Sequence, residues 1–244
     1  MVSTSDTKAP VPAKDRTDTV SNRAEIDEFL AEVKSRPAMQ PEGVRGRLLF
    51  GMDATMSRQP TWDRALQIQA EMFHETARIG GLDVQLVYFR GFGECQSSKW
   101  VSNPKALAEL MTKVQCRGGY TQIGRVLHHI KRESAKQKIN AVVYVGDAFE
   151  ESIDQVCQSA GEIGLLGVPL FTFLEGRDGV AERAFREIAR LTHGAFCRFD
   201  EGSAQQLREL LSAVAVYAAG GRKALQDFAK TRGGSPALLL EQLK

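Results

Sequence analysis

The chain has 244 residues, of which 43% are hydrophobic and 25% charged, and its formal net charge is +2. That length allows one sizeable core with tails, or two small domains at most. The near-neutral balance gives no electrostatic footprint for nucleic acid or a membrane surface. No apolar run approaches the roughly 18 to 20 residues of a membrane span, and residues 1–20 lack the apolar segment of a secretory signal. Cys95, Cys116, Cys157 and Cys197 are widely spread, with no Cys-x-x-Cys pair. They fit reduced, mostly buried thiols of a cytoplasmic protein better than a disulfide framework.

Residues 1–22 are rich in Ser, Thr, Asp, Lys and Pro and read as a flexible tail. Residues 23–44 carry Ile26, Phe29, Leu30 and Val33 at helical spacing, stopped by Pro37 and Pro41. A domain over 45–218 then opens with an apolar strand from Gly46 to Asp53. A helix over 63–79 follows, with Leu66, Met72, Phe73 and Ala77 available to pack inward, and Gly80-Gly81 ends it. Residues 83–89 form a strand, and Gly91 and Gly93 mark a turn. Residues 94–101 return as a short antiparallel edge strand. Helices are predicted over 104–114 and 123–137. The near-continuous apolar run 139–146 reads as a strand buried on both faces. Helix 152–165, strand 168–174, helix 181–192, strand 195–199 and helix 203–218 complete the alternation. Such alternation predicts a mostly parallel α/β sheet with helices on both faces. Residues 219–244 form a C-terminal extension with a short helix, 225–230, and a leucine cluster (Leu238, Leu239, Leu240, Leu243). Packing on its own domain is the simpler reading of that cluster, and a docking segment for a partner is the sharper one.

Where the first strand ends, Asp53-Ala54-Thr55-Met56-Ser57 places an acid and two hydroxyls at alternate positions. Carboxyl ends of strands are where open α/β sheets hold their ligands, and oxygen-only donors suit hard cations such as Mg²⁺. Two further loops add donors at the same edge. Thr121 lies in Arg117-Gly118-Gly119-Tyr120-Thr121, just before a helix, and Asp147 follows the strand ending at Gly146. Singly, Thr121 and Asp147 are equally readable as caps of the helices that follow them. Together, the five residues supply oxygens from three loops.

At these residues the chain resembles a von Willebrand factor A (vWA) domain with its metal-ion-dependent adhesion site, of the intracellular bacterial type. The family pattern has Asp-x-Ser-x-Ser after the first strand, a Thr after a glycine-rich loop and an Asp after the fourth strand. Thr55 stands where Ser is usual, Tyr120 is inserted before the Thr, Ile123 replaces a common second Thr, and Ala148 replaces a Gly. The resemblance implies a doubly wound, Rossmann-like fold over residues 45–218. It also implies that Asp53, Thr55, Ser57, Thr121 and Asp147 hold Mg²⁺, Mn²⁺ or Ca²⁺. The implied role is a non-enzymatic protein-interaction module, whose cation receives an Asp or Glu from a partner. An AAA-type ATPase or a stress-response assembly is the kind of partner implied.

Other chemistries fit less well. A phosphoryl-transfer enzyme with Asp53 as nucleophile would commonly carry a second acid where Thr55 stands, and no lysine occupies a convincing slot. Gly91-Phe92-Gly93 is only a fragment of a dinucleotide fingerprint, in the wrong place. Arg125, His128, His129, Lys131, Arg132, Lys136 and Lys138 would bind RNA or an anion, but they read more simply as a solvated helix face. His128-His129 lacks the spacing of a zinc pair. Arg58–Trp62, Glu94–Ser98 and Ala148–Glu151 are candidate specificity loops, with Trp62 as a candidate hydrophobic anchor. Glu150 and Glu151 would repel an acidic partner or, more simply, cap the next helix.

Overall fold

A computed structural model describes residues 45–199 and 204–243. The expected tail and helix over 1–44, and the start of the helix at 203, lie outside them. Six segments pair into one sheet: β1 (Gly46–Asp53), β2 (Leu82–Arg90), β3 (Glu94–Ser97), β4 (Ala141–Gly146), β5 (Leu170–Glu175) and β6 (Ala195–Phe199). The order across the sheet is β3-β2-β1-β4-β5-β6. All neighbours are parallel except β3, which runs antiparallel on β2. The helices are α1 (Gln59–Thr76), α2 (Pro104–Met111), α3 (Ile123–Ser134), α4 (Ile153–Leu165), α5 (Gly179–Leu191), α6 (Ala204–Arg232) and α7 (Gly234–Gln242). This is the doubly wound, mostly parallel architecture expected from the sequence.

Its cause is visible in β1 and β4. Both are central strands whose every residue is buried, so they read as apolar runs and not as alternation. Leu48, Phe50, Met52, Val143 and Val145 face one core, shared with α1, α2, α6 and α7. Leu49, Val142 and Tyr144 face the other, closed by α3, α4 and α5. Each fully buried Leu or Phe contributes about 1.5–3 kcal/mol relative to leaving it exposed, so two-sided burial fixes which strands are central.

Several boundaries move, each for a physical reason. Helix α1 starts at Gln59 and not at 63, because Pro60 sits in the first turn, where its missing N–H is no loss. Residues 77–79 tighten into a 3₁₀ turn, and Ala77, assigned inward by its spacing, is exposed. Trp62 is 1% exposed. Its Nε1 donates to the Met111 carbonyl at 3.2 Å, so it anchors helix packing and is not available as a surface anchor. The edge strand expected over 94–101 stops at Ser97. Ser98 turns its hydroxyl to accept from Leu86 N at 3.0 Å, and only Val101 rejoins β2, through a bridge to Val84.

The largest difference is at the C-terminal end. The helix expected to stop at Ala218 is followed, as expected, by a break at Gly221 (φ 69°, ψ −165°), and the second helix, expected over 225–230, extends to Arg232 within α6. Only glycine adopts that conformation without strain. Leu225, Leu239 and Leu243 are buried in the same core as Leu48 and Phe50. The leucine cluster is therefore mostly spent on its own chain. Gln242 also seals the β6 edge: its Oε1 accepts from Phe196 N at 2.8 Å and its Nε2 donates to Phe196 O at 2.9 Å. An open strand edge is an aggregation hazard, and this side chain closes it where β6 is unpaired.

Candidate metal site

The strand order reverses between β1 and β4, the neighbours at the centre of the sheet. Outside the carboxyl ends of such strands lies the crevice where doubly wound folds bind ligands. Asp53 ends β1 and Asp147 follows β4, so both flank that crevice. The β1 loop is pinned on each side. Ala54 N donates to Phe89 O at 2.9 Å, and Arg117 N donates to Ala54 O at 3.0 Å. Phe149, buried in the core under α3 and α4, fixes the loop after Asp147.

A cavity of about 240 Å³ opens at this point, lined by Asp53, Thr55, Met56, Ser57, Gly118, Gly119, Thr121, Asp147, Ala148 and Glu150. All five predicted donors therefore share one cavity. Four are linked by hydrogen bonds. Thr55 N donates to Asp53 Oδ1 at 2.7 Å, the Thr55 and Ser57 hydroxyls meet at 3.3 Å, and Ser57 Oγ donates to Asp147 Oδ2 at 3.1 Å. Thr121 is held differently. Its Oγ1 accepts from Glu150 N at 2.9 Å, while its N–H donates to Glu150 Oε2 at 3.0 Å.

The capping readings of these residues fail. The N-cap of α3 is Gln122, without a side-chain cap bond, and that of α4 is Ser152, likewise uncapped by a side chain. Neither Thr121 nor Asp147 is spent on a helix end. Helix α3 is capped from a distant loop instead: Glu151 accepts from Ile123 N at 2.5 Å and from Gly124 N at 2.9 Å. Glu151 thus caps the preceding helix, not the next one as its sequence position suggests. A carboxylate at a helix N-terminus also gains from the dipole.

Electrostatically the cavity is one-signed. No Lys or Arg is among its described lining residues. Asp53 is 1% exposed. Burial raises its pKa from 3.8 to about 6, against the hydrogen bonds from Thr55 that lower it, and the Asp147 charge adds to the rise. The Tyr144 hydroxyl is buried with no hydrogen-bond partner. Burial first, then the Asp53 charge, pushes its pKa well above the usual phenol value. Next door, the Arg58 guanidinium is already committed. Arg58, directly after Ser57, pairs with Glu175 at the end of β5, and Thr61 Oγ1 donates to the same carboxylate oxygen. Both partners of that pair are buried.

Two carboxylates and three hydroxyls with no basic side chain match the donor chemistry of a hard cation. Among the described residues no three His, Cys, Asp or Glu side chains converge as a metal-binding group. The set is therefore hydroxyl-rich and unlike a zinc centre of His and Cys. The glycine-rich loop fits a close approach. A Cβ on Gly119 would lie 2.1 Å from Gly91 O, so any side chain there would lift the loop and Thr121 with it.

The topology and this crevice decide the architecture. The fold is that of a von Willebrand factor A domain. A vWA-type protein from Catenulispora acidiphila superposes with a TM-score of 0.55 at 15% identity, over 70% of this chain and 43% of that one. The VWA domain of SpRpn10 gives a TM-score of 0.55 at 10% identity, over 70% of this chain and 95% of that one. Proximal thread matrix protein 1 from the mussel byssus, a structure with a zinc-occupied MIDAS motif, gives 0.51 at 16% identity, over 70% and 45%. The chain thus spans less than half of the Catenulispora and mussel proteins. No protein-family model matches the sequence, and no curated protein matches it.

Some features of the site escaped sequence reasoning. The reciprocal Glu150–Thr121 pair and the Glu151 cap join loops far apart in sequence, so no local pattern announces them. The basic face of α3 is largely committed within the chain. Lys131 pairs with Glu162, Lys136 with Glu133, and Arg125 Nη1 donates to Gly93 O at 2.8 Å. His129 meets Gln85 Oε1 at 2.9 Å. All four cysteines are free, two buried and two half-buried. No described helix is long and apolar enough to cross a membrane.

Proposed function

We propose that the protein is a cation-dependent interaction module. Asp53, Thr55, Ser57, Thr121 and Asp147 hold a divalent cation, Mg²⁺ first, with Mn²⁺ and Ca²⁺ as alternatives. When bound, the cation supplies an electron-poor centre to which an Asp or Glu of a partner protein attaches. The observation that carries this reading is two acids facing one crevice at the sheet's switch point, with three hydroxyls beside them and no basic residue to neutralise them.

The chain's own residues have separate tasks. Asp53 and Asp147 supply the negative charge, and the Thr55 backbone N–H orients Asp53. The hydroxyls of Thr55, Ser57 and Thr121 add donors without adding charge; with Asp53 and Asp147 acting directly or through water, few charged ligands would touch the cation, which would leave it able to take a partner carboxylate. Glu150 holds Thr121 in place. Binding, and not bond breaking, is the chemistry this arrangement serves; a nucleophilic role for Asp53 has no lysine or arginine in the cavity to assist it. The four unbonded thiols support a reducing compartment such as the cytoplasm. An AAA-type ATPase or a stress-response assembly is the partner class we would test first.

Isothermal titration with MgCl₂, MnCl₂ and CaCl₂ against the wild type and Asp53→Ala tests the site. The expected result is saturable binding of at least one cation, lost in the variant. Equal titration curves for the two proteins would overturn the reading. Capture of an acidic partner should likewise stop on addition of chelator.

A further inference from the structure

We infer that the partner presents its acidic residue next to an aromatic or large aliphatic side chain, which seats on a rim formed by Met56, Phe92 and Tyr120. This inference rests on the cation site proposed above and names the kind of partner that site takes.

Three large apolar side chains stand in the open around the crevice. Phe92 is 80% exposed, Met56 61% and Tyr120 59%. They alternate with the proposed donors along the chain: Met56 lies between Thr55 and Ser57, and Tyr120 between Gly119 and Thr121. Met56 lines the cavity itself, and so do Gly119 and Thr121, the chain neighbours of Tyr120. The Phe92 and Tyr120 rings meet edge to face, with centroids 5.2 Å apart and planes at 70°.

The platform under the rings is braced. Tyr120 N donates to Gly91 O at 3.3 Å, and Gln122 Nε2 donates to the Arg90 and Gly91 carbonyls at 3.3 and 3.1 Å. The Arg125 guanidinium ties Gly93 from the other side. Exposed rings on a fixed backbone lose little entropy when a partner covers them, which is the property of binding anchors. The surrounding charge also selects the occupant. Glu150 is exposed at the same cavity and no basic residue is among its described lining, so an acidic group enters only where the proposed cation receives it. A polypeptide whose carboxylate enters the cavity advances about 3.3–3.6 Å per extended residue. Its next residues therefore pass over the rim, and an apolar one buries ring surface while a polar one does not.

Panning a displayed library of short random peptides on the immobilised full chain in MgCl₂ tests this. Three proteins are compared: wild type, Phe92→Ser/Tyr120→Ser and Asp53→Ala. The wild type should enrich peptides that combine Asp or Glu with Phe, Trp, Tyr, Met or Leu at a fixed offset. The rim variant should still enrich acids but lose the apolar preference, with about tenfold weaker binding of a wild-type-selected peptide. Acid enrichment with no apolar partner residue, or an unchanged preference in the rim variant, would overturn the inference and leave the cation site standing. Peptides without acids, equally enriched by Asp53→Ala, would overturn both. Phe92 and Tyr120 are surface residues, so unchanged melting of the rim variant is expected and serves as the folding control.

Discussion

Two polar clusters sit side by side at the carboxyl end of this sheet, and they are built on opposite principles. In one, Arg58 and Thr61 both donate to the Glu175 carboxylate in a buried, closed arrangement. In the other, Asp53 and Asp147 share a cavity with three hydroxyls and no cation of their own. They arise from the same stretch of chain, since Ser57 serves one cluster and Arg58 the other. Where a buried carboxylate is structural, the fold provides an internal cation. Where it withholds one, Asp53 is left buried with its charge penalised. A buried charge is tolerated only when something compensates it, and under the proposed function a bound cation would supply that compensation here.

The comparison breaks most sharply if the closed pair loses its cation. Arg58→Met leaves Glu175 buried and unpaired, and losing one partner of a buried pair costs about 3–5 kcal/mol. The double variant Arg58→Met/Glu175→Leu should recover most of that loss, since neither charge of the pair then remains. Urea unfolding of the three proteins measures it; a single variant as stable as wild type would mean the pair is not the structural lock described here.

At the open cluster the sign should reverse. Asp53→Asn removes a buried charge whose burial penalty outweighs the help it gets from Thr55 and Arg58, so the cation-free protein should be as stable as wild type or more so. Added MgCl₂ should then separate them. A ligand that binds only the folded state stabilises it by about 2.7 kcal/mol at a hundred times its dissociation constant, and that gain should be confined to the wild type. Thermal melts with and without MgCl₂ check both halves. An Asp53→Asn protein that melts well below wild type without cation would show Asp53 to be structural, as Glu175 is.

The contrast also explains what could be read from the sequence. The open cluster was legible because its donors punctuate strand ends: Asp53, Thr55 and Ser57 follow one apolar run, and Asp147 another. The strands themselves were legible because two-sided burial leaves apolar runs with little alternation, as in β4, and residues 195–199 matched β6 in full. The closed cluster was invisible. Arg58 ends a 3₁₀ turn before α1 and Glu175 ends β5, far apart in sequence, and nothing near either residue tells that it is buried. The same holds for Glu151, which caps α3 from another loop, and for Gln242 on the β6 edge. Gly220-Gly221 gave a true local signal of a break, and what the sequence understated is the length of the helix beyond it. The kink is at Gly221, but burial of Leu225, Leu239 and Leu243 carries the helical chain past it. Phe92 and Tyr120 were overlooked because the former sits in a glycine turn and the latter read only as an insertion.

The smallest expected effect is at Glu150, which lines the open cavity beside Asp53 and Asp147. It secures Thr121 through two hydrogen bonds, yet it brings a third carboxylate to a cavity meant to receive one more. Its side chain is exposed, so solvent screens the repulsion, and exposed charge pairs are worth about 0.2–1 kcal/mol. Glu150→Gln keeps an oxygen to accept from Thr121 N and removes the charge. An acidic peptide selected on the wild type should therefore bind the variant up to about fivefold more tightly, with the gain shrinking as salt is raised. Weaker binding instead would mean that the carboxylate's hold on Thr121 outweighs its repulsion, and Glu150 would then count as part of the donor set.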